Sequence, residues 1–289
     1  MSPLFSIITI NYNNHVGLEK TVQSITSQNY LNFEFIIIDG GSSDDFLNVI
    51  NTHEEKISFW CSEKDKGIYD AQNKGIQQAK GEYLVFMNSG DCFSDNTVLQ
   101  KAAQFINDNN GRKIFYGNTN LVEEDGLRRF LAPPKIVDIH FFFFATLNHQ
   151  SCFIHKSLFV KYGVYNLEYK IGADYEFLFK VFLSEPHCYI YMNELICDYE
   201  NYGTSANTKF FDLIVKERVQ IHRALLSEEQ LKKRERLEIQ MLGRKSNVFK
   251  KVPNSDNLKS LYDRFYYCWY KFITKIRHLI PYKFQNQIL

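Results

Sequence analysis

The chain has 289 residues, of which 45% are hydrophobic and 23% charged, with only 6 Pro and 14 Gly, a composition that excludes a disordered or collagen-like polypeptide and allows one large domain or two smaller ones. The formal charge of +1 conceals an uneven distribution: residues 1–208 hold 16 Lys and Arg against 25 Asp and Glu, and residues 209–289 hold 18 against 8. A basic tail on an acidic body predicts an anionic partner for the tail, either membrane headgroups or nucleic acid.

The longest mainly apolar run, Phe141 to Leu147, is far too short to span a bilayer, and no basic-then-apolar leader precedes the first strand. Six cysteines, at positions 61, 92, 152, 188, 197 and 268, lack the close pairing of zinc or redox motifs and read as reduced cytosolic thiols.

In chain order, Phe5–Ile10 (FSIITI), Phe33–Ile38 (FEFIII), Ile57–Trp60 (ISFW) and Tyr83–Met87 (YLVFM) are short apolar runs of the kind found in strands buried on both faces. Between them Leu18, Val22 and Ile25, then Phe46, Val49 and Ile50, then Ile68, Ala71, Ile76 and Ala79 recur at helical spacing. Four strand–helix alternations predict a mainly parallel central sheet flanked by helices. A further helix follows near Val98–Ile106, the alternation then becomes irregular through residue 208, and a helix begins near Asp174. Tail helices start near Phe210, with Pro253 between them.

Three of the four strands are followed by an acid: Asp39, Asp65 and Asp91. Strand ends in a parallel sheet share one edge, where open α/β sheets bind ligands, so the crevice should be acidic. Asp also follows strands simply because it suits turns. With neither GxGxxG nor GxxxxGK[ST] present, a nucleotide diphosphate in such a crevice would need a divalent cation between carboxylate and phosphate.

FSIITINYNN, SITSQNYLNFEFIIIDGGSSDD and DKGIYDAQNKGIQQAKGEYLVFMNSGD, in this order and spacing, resemble the opening half of a family 2 glycosyltransferase with the GT-A nucleotide-sugar fold. The resemblance implies that residues 1–117 form the nucleotide-sugar half, residues 118–208 the acceptor half of the same domain, and residues 209–289 a helical tail. It further implies that Thr9, Asn11 and Tyr12 line the nucleotide pocket, that Asp39 accepts a hydrogen bond from the base, and that Asp65, Asn73 and Gly75 lie on the donor side. Gln72 stands where relatives often carry Arg. Asn88, Ser89, Gly90 and Asp91 stand where the family usually places an acidic DxD, which leaves Asp91 as the one carboxylate to hold Mg²⁺ or Mn²⁺.

Asn148–Tyr165 and Lys170–Val181 resemble the family's second half, and there Asp174, or Glu176 in second place, matches the acid that deprotonates the acceptor hydroxyl. Asp174 equally suits a helix N-cap, and a pKa lowered at that helix end weakens it as a base, so that assistance is called for. His149 can touch the diphosphate, the metal or the acceptor, and Tyr202 and Ser205 belong to a stretch resembling the loop that closes over the donor. Leu258, Leu261, Phe265, Trp269, Phe272, Ile276 and Ile280 form one helical face, which reads as an interfacial helix on anionic lipid or as a face packed on protein, with nucleic acid disfavoured.

These readings together predict an inverting, metal-dependent transfer of a sugar from a nucleotide-diphosphate donor, UDP favoured, to a polyprenyl-linked saccharide of a bacterial surface polysaccharide. The enzyme would be cytoplasmic, peripheral on the inner face of the plasma membrane and able to form a homodimer. The alternatives are a nucleotidyltransferase and a non-catalytic nucleotide-sugar-binding scaffold.

Overall fold

The computed structural model describes residues 2–109, 111–200 and 210–243. The chain divides into two compact units, Met1–Ala206 and Asn207–Leu289.

The first unit opens with the expected alternation: β1 (Phe5–Asn11), α1 (His15–Thr26), β2 (Phe33–Asp39), α2 (Phe46–Thr52), β3 (Phe59–Ser62), α3 (Ile68–Gln78) and β4 (Tyr83–Phe86). The four strands pair in parallel in the order β3, β2, β1, β4. Along β1 and β2, Phe5, Ile7, Ile8, Phe35, Ile37 and Ile38 are fully buried, as continuous apolar runs covered on both faces must be. Leu18, Val22 and Ile25 of α1 join Phe46, Val49 and Ile50 of α2 in one core cluster with Phe5, Ile7, Phe35 and Ile37. The opposite face is approached by α3, whose Gly75 lies so close to Ile8 that a Cβ there would stand 2.4 Å from its Cγ2. ISFW departs from expectation: Phe59 and Trp60 are more than one third exposed, because β3 pairs only with β2 and forms the sheet's edge.

Beyond β4 come β5 (Cys92–Phe93), α4 (Val98–Asp108), β6 (Ile114–Val122), β7 (Arg128–Leu131), α5 (Ile139–Phe144), β8 (Cys152–His155), α6 (Lys156–Tyr162), α7 (Ala173–Ser184) and β9 (Tyr189–Glu200). The sheet continues from β4 through β8, β6 and β9 to β5, with β7 beside β6. Here β8 runs antiparallel to β4 and β6, β7 antiparallel to β6, and β5 antiparallel to β9, while β6 and β9 are parallel. The sheet is thus parallel in its first half and mixed in its second. The division expected at residues 117 and 118 falls inside β6, so both halves share one sheet. The abundant aromatics fill the layer built by α5, α6 and α7: Phe159 stacks on Phe177 at 4.3 Å and Phe142 on Phe179 at 5.3 Å.

The second unit contributes α8 (Phe211–Leu225) and α9 (Glu228–Gly243) to the described residues. A capping box opens α9, since Ser227 Oγ accepts from the Gln230 N–H and Gln230 Oε1 accepts from the Ser227 N–H. The stripe from Leu258 to Ile280 lies outside the described residues. Among those described, no helix is long and apolar enough to cross a membrane.

Candidate active site

The strand order reverses direction between β1 and β4, and the crevice of an open α/β sheet lies at the carboxyl ends of the strands flanking such a point. Register aligns Asn11, Asp39 and Ser62 across the ends of β1, β2 and β3. Asp39 is fully buried and its two oxygens accept five hydrogen bonds: from Asn11 Nδ2 at 2.8 Å, the Gly41 and Ser42 N–H groups at 3.1 and 2.8 Å, Ser42 Oγ at 2.5 Å and Ser62 Oγ at 2.6 Å. Burial alone would push this carboxyl up, but the bonds from Ser42, Ser62 and Asn11 outweigh it and hold the group below its ordinary value. Asp39 therefore ties the β2 loop to β1 and β3 and keeps no free lone pair for a base in this conformation. Asp65 stays half-buried and accepts from the Gly67 N–H at 2.9 Å. Gly40 makes room for it: a Cβ there would meet Asp65 Oδ2 at 2.5 Å and the Tyr12 ring at 3.2 Å. Tyr12 is 67% exposed, so Tyr12, Gly40 and Asp65 form an open aromatic and acidic slot beside the saturated Asp39.

The turn after β4 carries Asn88, Ser89, Gly90 and Asp91. Gly90 adopts φ +105°, a backbone conformation that favours glycine, and the Glu200 carboxylate lies against it, 2.5 Å from where a Cβ would stand. Thr21 of α1 pins the turn, accepting from the Gly90 N–H at 2.9 Å and donating to the Asp91 carbonyl at 2.7 Å. The Asp91 carboxyl is 4% exposed and accepts from Gln150 Nε2 at 2.9 Å and from the Glu200 N–H at 3.1 Å. Burial pushes it up to about 7 despite those bonds.

Across the crevice, α7 begins at Ala173 with Gly172 as its N-cap, so Asp174 occupies the first turn and not the cap itself. Its Oδ1 accepts from the Tyr69 hydroxyl at 2.7 Å and its Oδ2 faces His149 Nδ1 at 2.9 Å. Burial would raise this carboxyl, yet the hydrogen bonds from His149, the Tyr69 hydroxyl and the Tyr175 N–H hold it below the usual value. His149 Nε2 lies 3.5 Å from Asn88 Nδ2, and Asn88 Oδ1 accepts from Gln72 Nε2 at 3.2 Å. A continuous polar chain thus runs Gln72, Asn88, His149, Asp174, Tyr69.

Several expected donor residues turn inward instead. Thr9 is fully buried and donates to the Met87 carbonyl at 2.7 Å, linking β1 to the chain after β4. Gly75 serves the close approach of α3 to Ile8. Asn73 is 7% exposed and brackets the Tyr165 backbone, accepting from its N–H at 2.9 Å and donating to its carbonyl at 2.8 Å. Glu176, two residues beyond Asp174 and so on another helical face, is buried and pairs its Oε1 with Lys180 Nζ at 3.0 Å. Asn11 Nδ2 donates to Asp39 and Ser42 while its buried Oδ1 has no partner among the described residues, and Ser89 donates to the Asn14 carbonyl. Tyr202 and Ser205 lie outside the described residues. Sequence reading gave no role to Tyr69, Gln150 or Glu200, since each is recruited across the fold.

Asn73→Ala is expected to cost about 2–4 kcal/mol by stranding two buried Tyr165 backbone groups. A urea midpoint lowered at unchanged slope, with nucleotide affinity intact, would show this. Nucleotide affinity lost at unchanged stability would return Asn73 to the donor site.

The family model described as Glycosyl transferase family 2 matches residues 6–160. The chain belongs to glycosyltransferase family 2. An uncharacterized glycosyltransferase of Mycobacterium tuberculosis is 34% identical to this family 2 chain, over 71% of the chain and 78% of the relative. A PGL/p-HBAD biosynthesis glycosyltransferase of Mycobacterium bovis is 29% identical, over 72% and 80%. Among solved structures, residues 1–349 of S. aureus TarS in complex with UDP-GlcNAc superpose with a TM-score of 0.60 at 19% identity, covering 78% of this chain and 68% of TarS. The mannosyltransferase PcManGT of Pyrobaculum calidifontis, in complex with GDP-Man and Mn²⁺, gives 0.55 at 16% identity, over 78% and 64%. The fold is that of the GT-A glycosyltransferases.

A metal held by Asp91 does not fit this arrangement. The carboxyl is buried, its oxygens already hold Gln150 and Glu200, and Asn88 and Gly90 bring no second charge. Among the described residues no three His, Cys, Asp or Glu side chains gather as a ligand set.

Proposed function

We propose that this family 2 glycosyltransferase moves one hexose from a nucleotide-diphosphate donor to a saccharide hydroxyl by a single inverting displacement. The observation that carries the reading is the Asp174–His149 pair facing Asn88 across the crevice of a family 2 chain: a proton-accepting pair opposite the turn where the family's donor motif stands. In the displacement the acceptor oxygen forms a bond to the anomeric carbon as the bond to the diphosphate breaks. The nucleotide diphosphate leaves with the bonding pair, and the hydroxyl proton passes to the Asp174 side of the crevice.

UDP is the favoured nucleotide, because TarS binds UDP and UDP-GlcNAc and the exposed Tyr12 with Asp65 offers a ring and an imino-proton acceptor for uracil. PcManGT with Mn²⁺ supports divalent-cation use in this fold, but no step of the reading passes through a metal, since Asp91 is committed elsewhere. The mycobacterial relative named for PGL biosynthesis supports a lipid-linked acceptor. With the basic tail, it supports a reading in which the enzyme works at the anionic inner face of the plasma membrane, in surface-polysaccharide synthesis.

Thermal melts with UDP, GDP, dTDP and CDP, each with and without Mn²⁺, test the donor class. Stabilisation by UDP alone is expected and should weaken in Asp65→Asn. Stabilisation by no nucleotide would move the chain to a scaffold role.

A further inference from the structure

We propose that the atom receiving the acceptor proton is Nε2 of His149, with Asp174 as its positioning residue. This deepens the glycosyl-transfer reading and rests on it.

The carboxylate has little capacity left for substrate. Oδ1 shares the one Tyr69 hydroxyl proton with the Ile171 carbonyl, Oδ2 takes the His149 ring, and the side chain keeps 14% of its surface. A carboxylate held by donors on both oxygens is a poor proton acceptor, because every bond it accepts favours its charged form. The imidazole inherits the task by geometry. An ionised carboxylate only accepts hydrogen bonds, so His149 Nδ1 carries a proton, and in the neutral ring Nε2 then keeps its lone pair. The other end of the chain agrees: Asn88 Oδ1 is occupied by Gln72 Nε2, which directs the Asn88 amide N–H toward Nε2. At 3.5 Å that contact is long enough to yield to an incoming hydroxyl. Asn88, where the family usually has Asp, thus suits a neutral imidazole beside it: Asp would set an acceptor against Nε2 and demand a second proton there.

Base, orienter and tautomer follow the logic of nucleophile-activating triads, with the acceptor sugar hydroxyl as nucleophile. As oxygen attacks the anomeric carbon its proton moves to Nε2, the nucleotide diphosphate departs with the electron pair, and the imidazolium is stabilised by Asp174 until the proton passes to water. Charged and titratable groups around the ring are Asp174 from α7 and Asp91 from the β4 turn. Burial and, after it, Asp174 hold the Tyr69 and Tyr165 hydroxyls and the Cys152 thiol in their protonated forms. The Phe86 ring closes one side at 6.3 Å between centroids.

Two measurements test the pair. Nitrogen-15 NMR of the histidine rings in ligand-free protein, with His149→Gln for assignment, is expected to show the neutral His149 ring protonated at Nδ1 and bare at Nε2. A neutral ring protonated at Nε2 overturns the proposal. Hydrolysis of UDP-glucose, UDP-galactose and UDP-GlcNAc by water then reads turnover without an identified acceptor. His149→Gln, which can still donate to Asp174 but cannot take a proton, is expected to lower kcat about 10²–10⁴-fold at nearly unchanged donor KM. It should also lose the acidic limb of the pH profile. Added imidazole should restore part of the rate to His149→Ala and none to Asp174→Asn. A His149→Gln enzyme within threefold of wild-type kcat, beside a thousandfold loss in Asp174→Asn, would return the base to Asp174. A raised donor KM at full kcat would make His149 a diphosphate contact. Wild-type protein that neither binds nucleotide nor hydrolyses any donor would sink the glycosyl-transfer reading itself, an outcome distinct from all of these.

Discussion

Asp39→Ala is expected to lower folding stability by about 3–5 kcal/mol, the scale of a broken buried charged network. The change strands Asn11 Nδ2, the Gly41 and Ser42 N–H groups and the Ser42 and Ser62 hydroxyls at once, with Asp39 fully buried. Asp39→Asn keeps the shape but sets an amide N–H against donors, so a smaller loss of the same sign follows. The pH dependence has a definite direction. The folded-state pKa lies below the unfolded one, so the stabilisation is present above the unfolded value near 4 and is lost as pH falls through the folded value. Urea midpoints of wild type and Asp39→Asn from pH 7 down to 3 should converge. A variant as stable as wild type that no longer binds UDP would mean that Asp39 opens to the base.

Asp91 should behave in the opposite sense. Burial lifts its folded-state pKa to about 7 from an ordinary 3.8, so folding binds an extra proton between those values and stability falls as pH rises through that window. At pH 8 the charged, buried carboxylate costs on the order of 4 kcal/mol relative to pH 3. Asp91→Asn keeps an acceptor for the Glu200 N–H, and its amide can donate to Gln150 Oε1, a buried oxygen that lacks a partner among the described residues. The variant is therefore expected to gain about 2–3 kcal/mol at pH 8 and nothing near pH 4. Melts at both pH values, with and without Mn²⁺, decide between this role and metal binding. Destabilisation at pH 8 together with loss of a Mn²⁺-dependent shift would restore Asp91 as a ligand.

The opposite behaviour of two aspartates that each follow a buried strand shows where sequence reading stops. Asp39 and Asp91 present the same pattern in the chain, an apolar run and then an acid. Their difference lies in what reaches them from elsewhere: serines and an asparagine from neighbouring strand ends for Asp39, and Gln150 with the end of β9 for Asp91. Asn73 and Gly75 similarly read as donor-side residues because they sit on the helix entering the crevice, yet both face the packed interior.

Local chemistry carried what depends on local chemistry. Apolar runs alternating with helical periodicity determined the parallel β1–β4 block, and the acids at its strand ends marked the crevice edge, because burial on both faces and strand direction follow from residue order alone. The edge position of β3, the mixed second half of the sheet and the polar chain from Gln72 to Tyr69 were decided only by tertiary structure. Each depends on which distant segment arrives alongside: Tyr69 and Asp174 meet across 105 positions, and Asp91 and Glu200 across 109. A carboxyl becomes a base, a ligand or a tether according to the donors that surround it, and those donors are assembled by packing between elements that no local pattern connects.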